Sequence, residues 1–159
     1  MLRYPSILIA TVLTATVASV AVAQQKVDAM GGMAAVSAGS IQFADIDVPG
    51  FDPGMKIAAI DGNPDEAGPY TLRLSFPANY RFPAHFHPMA ENLTVLSGTL
   101  LLAMGDGADE SKLQAYGAGD YLHLPANKPH YGGARGATVI QLHGQGPFKI
   151  NLVQTSASR

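Results

Sequence analysis

Four side chains able to hold a metal stand in two short stretches: His85, His87 and Glu91 in His85-Phe86-His87-Pro88-Met89-Ala90-Glu91, and His130 after Gly119 and Pro125. An H-x-H pair on an extended strand puts both imidazoles on one face, because side chains alternate with period two and i,i+2 residues lie about 6.6 Å apart. Both rings can reach one ion. Glu91 shares their parity, yet six residues of straight strand would carry it about 20 Å from His85, far beyond a coordination distance of roughly 2.0–2.2 Å. The chain must therefore bend, and Pro88, with no N–H for a ladder, supplies the interruption. Glu91 then opens the next strand and points back. Imidazole plus carboxylate suits iron, manganese, nickel, cobalt, copper or zinc, and affinity order alone does not choose among them. The histidines bind only when neutral, so occupancy is expected to fall as the pH drops through their titration range.

The elements that must position these residues read as short strands. From Ile41 onward, apolar or alternating runs (Met55–Ile60, Tyr70–Phe76, Asn92–Ser97, Thr99–Met104, Lys112–Tyr116, Tyr121–Leu124, Thr138–His143 and Phe148–Val153) are cut by turn signals such as Asp61-Gly62-Asn63-Pro64 and Gly105-Asp106-Gly107. No run beyond the first residues has a helical period. Short strands at this spacing predict an all-β sandwich, jelly roll or small barrel. At 159 residues, 47% hydrophobic and 14% charged, the chain suits one domain with a real core. A net charge of −2 and no basic run argue against a nucleic-acid partner.

Residues 1–23 differ from the rest. Arg3, the uncharged apolar stretch from Ile7 to Val20 and the small residues Ala21-Val22-Ala23 predict an export signal cut before Gln24. The competing reading is an uncleaved anchor, since Ile7 to Ala23 approaches the minimum of about 17 residues for a span. With one Arg and no Cys for a lipid, general export to a periplasm is the expectation, without stable membrane association after cleavage. The absence of cysteine excludes disulfides and thiolate ligands. Without Arg3, nine basic and twelve acidic side chains remain. Gln24 to Ser40 reads as a flexible tether of low period, although Met30 and Met33 could pack on a neighbour, and residues 41–155 as the barrel domain.

The pattern Asn79–Gly98 resembles the first cupin motif, G-x5-H-x-H-x3,4-E-x6-G, at His85, His87, Glu91 and Gly98. Gly119–Ala134 resembles the second, G-x5-P-x-G-x2-H-x3-N, at Gly119, Pro125 and His130. Thr99 to Ala118 is similar to the short spacer of compact single-domain cupins, and the phrasing of Glu91–Gly98 and His143–Phe148 is similar to that of small exported bacterial members. The resemblance implies a double-stranded β-helix, a jelly-roll barrel whose mouth holds one divalent transition metal, such as Fe, Mn, Ni or Zn, on His85, His87, Glu91 and His130. Four protein ligands on an octahedral ion would leave two positions open to water, a bidentate oxygen ligand or dioxygen. Asn79 and Asn127 replace motif glycines and Ala134 the final Asn. Asn is the best substitute for Gly where φ must be positive, so both turns can survive.

Leu93 and Val95 share the parity of Glu91 and would line an apolar pocket. If the strand face bearing Val139, Gln141 and His143 looks inward, Gln141 and His143 reach the substrate near the metal. His123 reads first as a surface or satisfied strand histidine, and Tyr131, alternating away from His130, as packing. The expected function is a metal-dependent cupin acting on a small oxygen-bearing molecule, as a dioxygenase-type oxidoreductase or an isomerase. Only His143, His123 or Glu91 could serve as a general base, a supply that favours metal-centred redox chemistry. The alternative is a periplasmic module that binds or senses a small molecule without turnover, and fold alone does not choose. Cupin barrels often pair through edge strands, so a homodimer is the assembly the resemblance allows.

Overall fold

The computed structural model describes residues 28–30, 33–107 and 109–153. The export signal, the tether residues 24–27, 31 and 32, and the last two residues of the expected barrel domain lie outside them. Within the tether, β1 (Asp28–Met30) and β2 (Met33–Ala35) pair antiparallel as a sheet of their own, so this segment is less featureless than its composition suggests. A short 3-10 turn follows at Ala38–Ser40.

Eleven strands build the body: β3 (Ala44–Asp45), β4 (Lys56–Asp61), β5 (Gly68–Phe76), β6 (Arg81–Phe86), β7 (Glu91–Ser97), β8 (Thr99–Met104), β9 (Gln114–Gly117), β10 (Tyr121–Leu124), β11 (His130–Ala134), β12 (Thr138–Gly146) and β13 (Asn151–Leu152). They form two antiparallel sheets, ordered β10-β7-β12-β5-β4-β3 and β13-β6-β11-β8-β9. This is the jelly-roll barrel expected from the pattern of short strands.

Alternation sets what lies between the sheets. β5 buries Tyr70, Leu72, Leu74 and Phe76 and leaves Thr71, Arg73 and Ser75 on the outer face. β7 buries Glu91, Leu93 and Val95, and β12 buries Thr138, Ile140 and Leu142. All of these inward residues but Glu91 and Thr138 join Ile57, Phe82, Leu100, Leu102, Leu122 and Leu124 in one core. A hydrocarbon face on each sheet, buried against the other at roughly 25 cal/mol per Å², is what closes the barrel.

Turn chemistry supports the closure. Asn79 and Asn127 adopt φ of 59° and 58°, the left-handed conformation expected where Asn replaces Gly. Gly98, between β7 and β8, has φ of 78°, and any Cβ there would collide with the Ala137 carbonyl oxygen. That close approach lets Thr138 Oγ1 accept from the Thr99 amide at 3.0 Å.

Candidate metal centre

His85 is placed by β6 and His130 by the neighbouring β11, where the two residues face one another in register. The β6–β11 register then shifts between His130 and Gly132, an irregularity near Pro83. A proline inside a strand is tolerated at such a bulge. His87 follows the end of β6, and the chain turns through Pro88-Met89-Ala90 into the opposite sheet, where Glu91 is the first residue of β7. The Asn127 amide donates to the His87 carbonyl at 2.8 Å and ties down the turn. The bend attributed to Pro88 thus carries the chain from one sheet to the other.

Ligand-capable atoms of His85, His87 and His130 lie within 4.8 Å of one another. Glu91 Oε2 is 3.3 Å from His87 Nε2. All four side chains are buried. Each imidazole has its Nδ1 on a backbone carbonyl: Pro83 at 2.8 Å for His85, Lys149 at 2.7 Å for His87 and Lys128 at 3.3 Å for His130. A carbonyl only accepts, so Nδ1 carries the proton and Nε2 keeps its lone pair. That tautomer is the one a metal needs, and fixing it through the other nitrogen is the usual supporting arrangement for a ligating histidine.

Electrostatics act in the same direction. Burial, then the neighbouring His130 and His87 rings, hold His85 well below the usual imidazole range. Burial, then His130, lowers His87 to about 4, and burial also lowers His130. The histidines are neutral at physiological pH. Burial raises Glu91 to about 8, so without a cation the 3.3 Å contact to His87 joins a protonated carboxyl and a neutral imidazole rather than two charges. Glu91 Oε1 is buried with no hydrogen-bond partner. An orphaned carboxylate oxygen beside three imidazole lone pairs fits a divalent cation, which would satisfy both. The group His85, His87 and His130 could hold a metal ion.

The site opens on a cavity of about 50 Å³ between the sheets. Leu93 lines it, with Leu124, Ile140 and Leu142. Val95 is fully buried in the core but does not reach the cavity wall. Phe51 packs on His85 with ring centroids 4.9 Å apart, and Phe148 stacks on His87 at 5.1 Å. These two aromatics come from segments outside the motifs. Phe148 ends the His143–Phe148 run, whereas nothing around Phe51 singles it out in the sequence.

Gln141 and His143 are not brought to this cavity. Ile140 and Leu142 occupy the inward positions of β12, so the alternate residues face outward: Gln141 accepts from Arg73 Nε at 3.0 Å, and His143 borders a separate, more open pocket with Thr71, Asn92 and Gly144. The inward orientation expected for them is corrected by this register. His123 is exposed with Nδ1 3.0 Å from Asn92 Oδ1, and Tyr131 packs with Ala84 and Ala103 while donating to the Asp109 carbonyl at 2.8 Å.

Residues 72–143 match the cupin domain family. The chain folds as a cupin. Similar solved structures include the polyketide cyclase RemF from Streptomyces resistomycificus, at 20% identity and a TM-score of 0.64 over 79% of this chain and 88% of that one. Another is a putative acetylacetone dioxygenase from Methylibium petroleiphilum PM1, at 17% identity and a TM-score of 0.61 over 84% and 89%. A cupin-2 domain protein from Rhodospirillum rubrum is similar at 13% identity and a TM-score of 0.60 over 77% and 80%. At these identities the likeness concerns the cupin fold. No curated protein matches the sequence.

Proposed function

We propose that this cupin is a metal-dependent protein that takes a small oxygen-bearing molecule into its barrel and acts on it as a dioxygenase-type oxidoreductase. The observation that carries the reading is the inner ring itself: three buried imidazoles with Nδ1 fixed on backbone carbonyls, beside a carboxyl with one oxygen unpartnered. His85, His87, His130 and Glu91 would hold the ion. A divalent cation there supplies Lewis acidity and, for iron or manganese, redox chemistry with dioxygen. The chain's own contribution is positioning and the exclusion of water. Leu93, Leu124, Ile140 and Leu142 form a dry wall behind the ring, and Phe51 and Phe148 cover His85 and His87. A low-dielectric surround strengthens every electrostatic interaction at the site.

Catalysis and capture without turnover are both compatible with this geometry. One observation bears on the choice: apart from the four ring residues, no titratable side chain lines the cavity, so acid–base catalysis has no side chain to carry it, and the alternatives are metal-centred redox chemistry or capture without turnover. Oxygen uptake by iron-loaded protein with a panel of β-diketones, catechols, hydroxy acids and flavonols tests the choice. Consumption of oxygen with product formation supports the oxidoreductase. Saturable thermal stabilisation with no turnover across the panel supports the binding protein. Export with cleavage before Gln24 belongs to the same proposal, supported by the leader-like residues 1–23 and a cysteine-free chain. N-terminal sequencing of the mature protein should begin at Gln24, and a chain beginning at Met1 would overturn export with cleavage.

A further inference from the structure

The polar groups of the cavity all stand at one end. Fifteen of its nineteen lining residues are apolar, and the remaining four are His85, His87, Glu91 and His130. Other buried polar atoms nearby are spent or out of reach. Thr138 Oγ1 is engaged with Thr99 and Gly136, and neither Tyr80, whose hydroxyl lacks a partner, nor Tyr70, which borders the outer pocket beside Gly144, is part of the cavity wall. A ligand oxygen lying anywhere but at the ring end would be buried with nothing to donate to it or accept from it. Such a group loses its water without recompense.

Resting on the metal-dependent reading above, we infer that the ligand is a small molecule with a single pair of chelating oxygens and an otherwise apolar body; polyols, sugars and sugar acids are excluded. The chelating pair meets the ring end, and the body lies against Leu93, Leu124, Ile140 and Leu142, with Phe51 and Phe148 across it. The size limit follows from the volume of about 50 Å³, only a few times the roughly 10–15 Å³ that one water needs. The discrimination has a definite scale: an apolar pocket rejects an isostere that merely adds a hydroxyl by about 100-fold.

The test compares 2-hydroxybutyrate with glycerate, which share the hydroxy-acid chelate and differ by a methyl against a hydroxyl of nearly the same size. Each acid is titrated into the full-length protein loaded with cobalt(II), following the visible absorption of the ion, with free cobalt(II) as the reference for intrinsic chelation. After that correction, 2-hydroxybutyrate should bind about 100-fold more tightly. Equal affinities, a preference for glycerate, or no spectral change with either acid in protein that has taken up cobalt would overturn the inference while leaving the metal site standing. Failure to take up cobalt at all would overturn the metal-dependent reading and the inference with it.

Discussion

His85, His87 and His130 face the barrel interior, whereas His123 and His143 stand on the outer side of the six-stranded sheet. Each inner ring rests its Nδ1 on a backbone carbonyl, a partner that belongs to the fold and accepts only. The exposed His123 instead bonds a side chain, Asn92, whose Oδ1 also accepts from the Tyr121 hydroxyl at 2.6 Å. The outer residues line up in register, His123 beside Asn92 and Asn92 beside His143, yet only the inner three are grouped for a cation. Histidines aligned across a sheet therefore do not make a site. Inward parity, a fixed tautomer and a buried acid opposite do.

The largest effect should come from removing an inner ring. His130→Ala is expected to weaken metal binding by at least about 100-fold, because even the hydrogen-bond partners of ligating histidines are worth about 10–100-fold. His123→Ala and His143→Ala should retain full metal content. Elemental analysis of the three variants decides, and loss of metal from His143→Ala equal to that from His130→Ala would erase the distinction between the two sets. The same contrast holds for packing along β12. Leu142→Ala should cost about 2–5 kcal/mol in urea denaturation, whereas Gln141→Ala, one position away and facing outward, should cost no more than the roughly 0.5–1.5 kcal/mol of its hydrogen bond to Arg73.

A pH profile of the chelator-treated protein separates the inner ring's histidines from its acid. His87 falls from 6.5 unfolded to about 4 folded, so the unfolded chain binds the extra proton in that window and stability rises with pH across it. Glu91 rises from 4.5 to about 8, so there the folded chain holds the extra proton and stability falls. His85 and His130 are also lowered, which sets three rising contributions against one falling below pH 6.5 and leaves only the fall above it. Thermal stability should peak near pH 6.5 and decline by on the order of 2 kcal/mol by pH 8. A continued rise to pH 8 would mean that Glu91 is ionised without a cation.

What the sequence revealed and what it hid follow from strand physics. β7, β8, β10 and β12 were legible because apolar residues alternate or run between turn signals. β6 and β11, the strands that carry His85 and His130, stand outside the apolar runs: only the H-x-H spacing marks an extended strand at His85, and Pro83 and Gly132-Gly133 interrupt any alternation there. The structure shows why they are tolerated: Pro83 sits near a register shift, and a Cβ on either glycine would collide with the carbonyl of Leu101 or Tyr80. Without side chains at Gly132 and Gly133, β11 lies close against Leu101 of β8 and Tyr80 before β6, and the same strand pairs His130 with His85. The parity of β12 was not readable, since Val139, Ile140, Gln141 and Leu142 offer an apolar residue to both faces. Only pairing with β5 and β7 selects Ile140 and Leu142 for the interior.

The smallest effect sharpens the comparison most, because it touches the residue between the two sets. Asn92 follows Glu91 on β7 but points outward, where it receives Tyr121 and His123 and sends Nδ2 toward the His143 carbonyl at 3.4 Å. Its partners Tyr121 and His123 are exposed, so water replaces the lost contacts, and Asn92→Ala should cost about 1 kcal/mol or less. Metal affinity should change by less than about twofold, because the tautomers of the inner rings are set by Pro83, Lys149 and Lys128, none of which contacts Asn92 through a hydrogen bond. A tenfold loss of metal in Asn92→Ala, with stability nearly unchanged, would show that the outer network orients Glu91 through the backbone of β7, and the outer face would then be part of the metal centre's support.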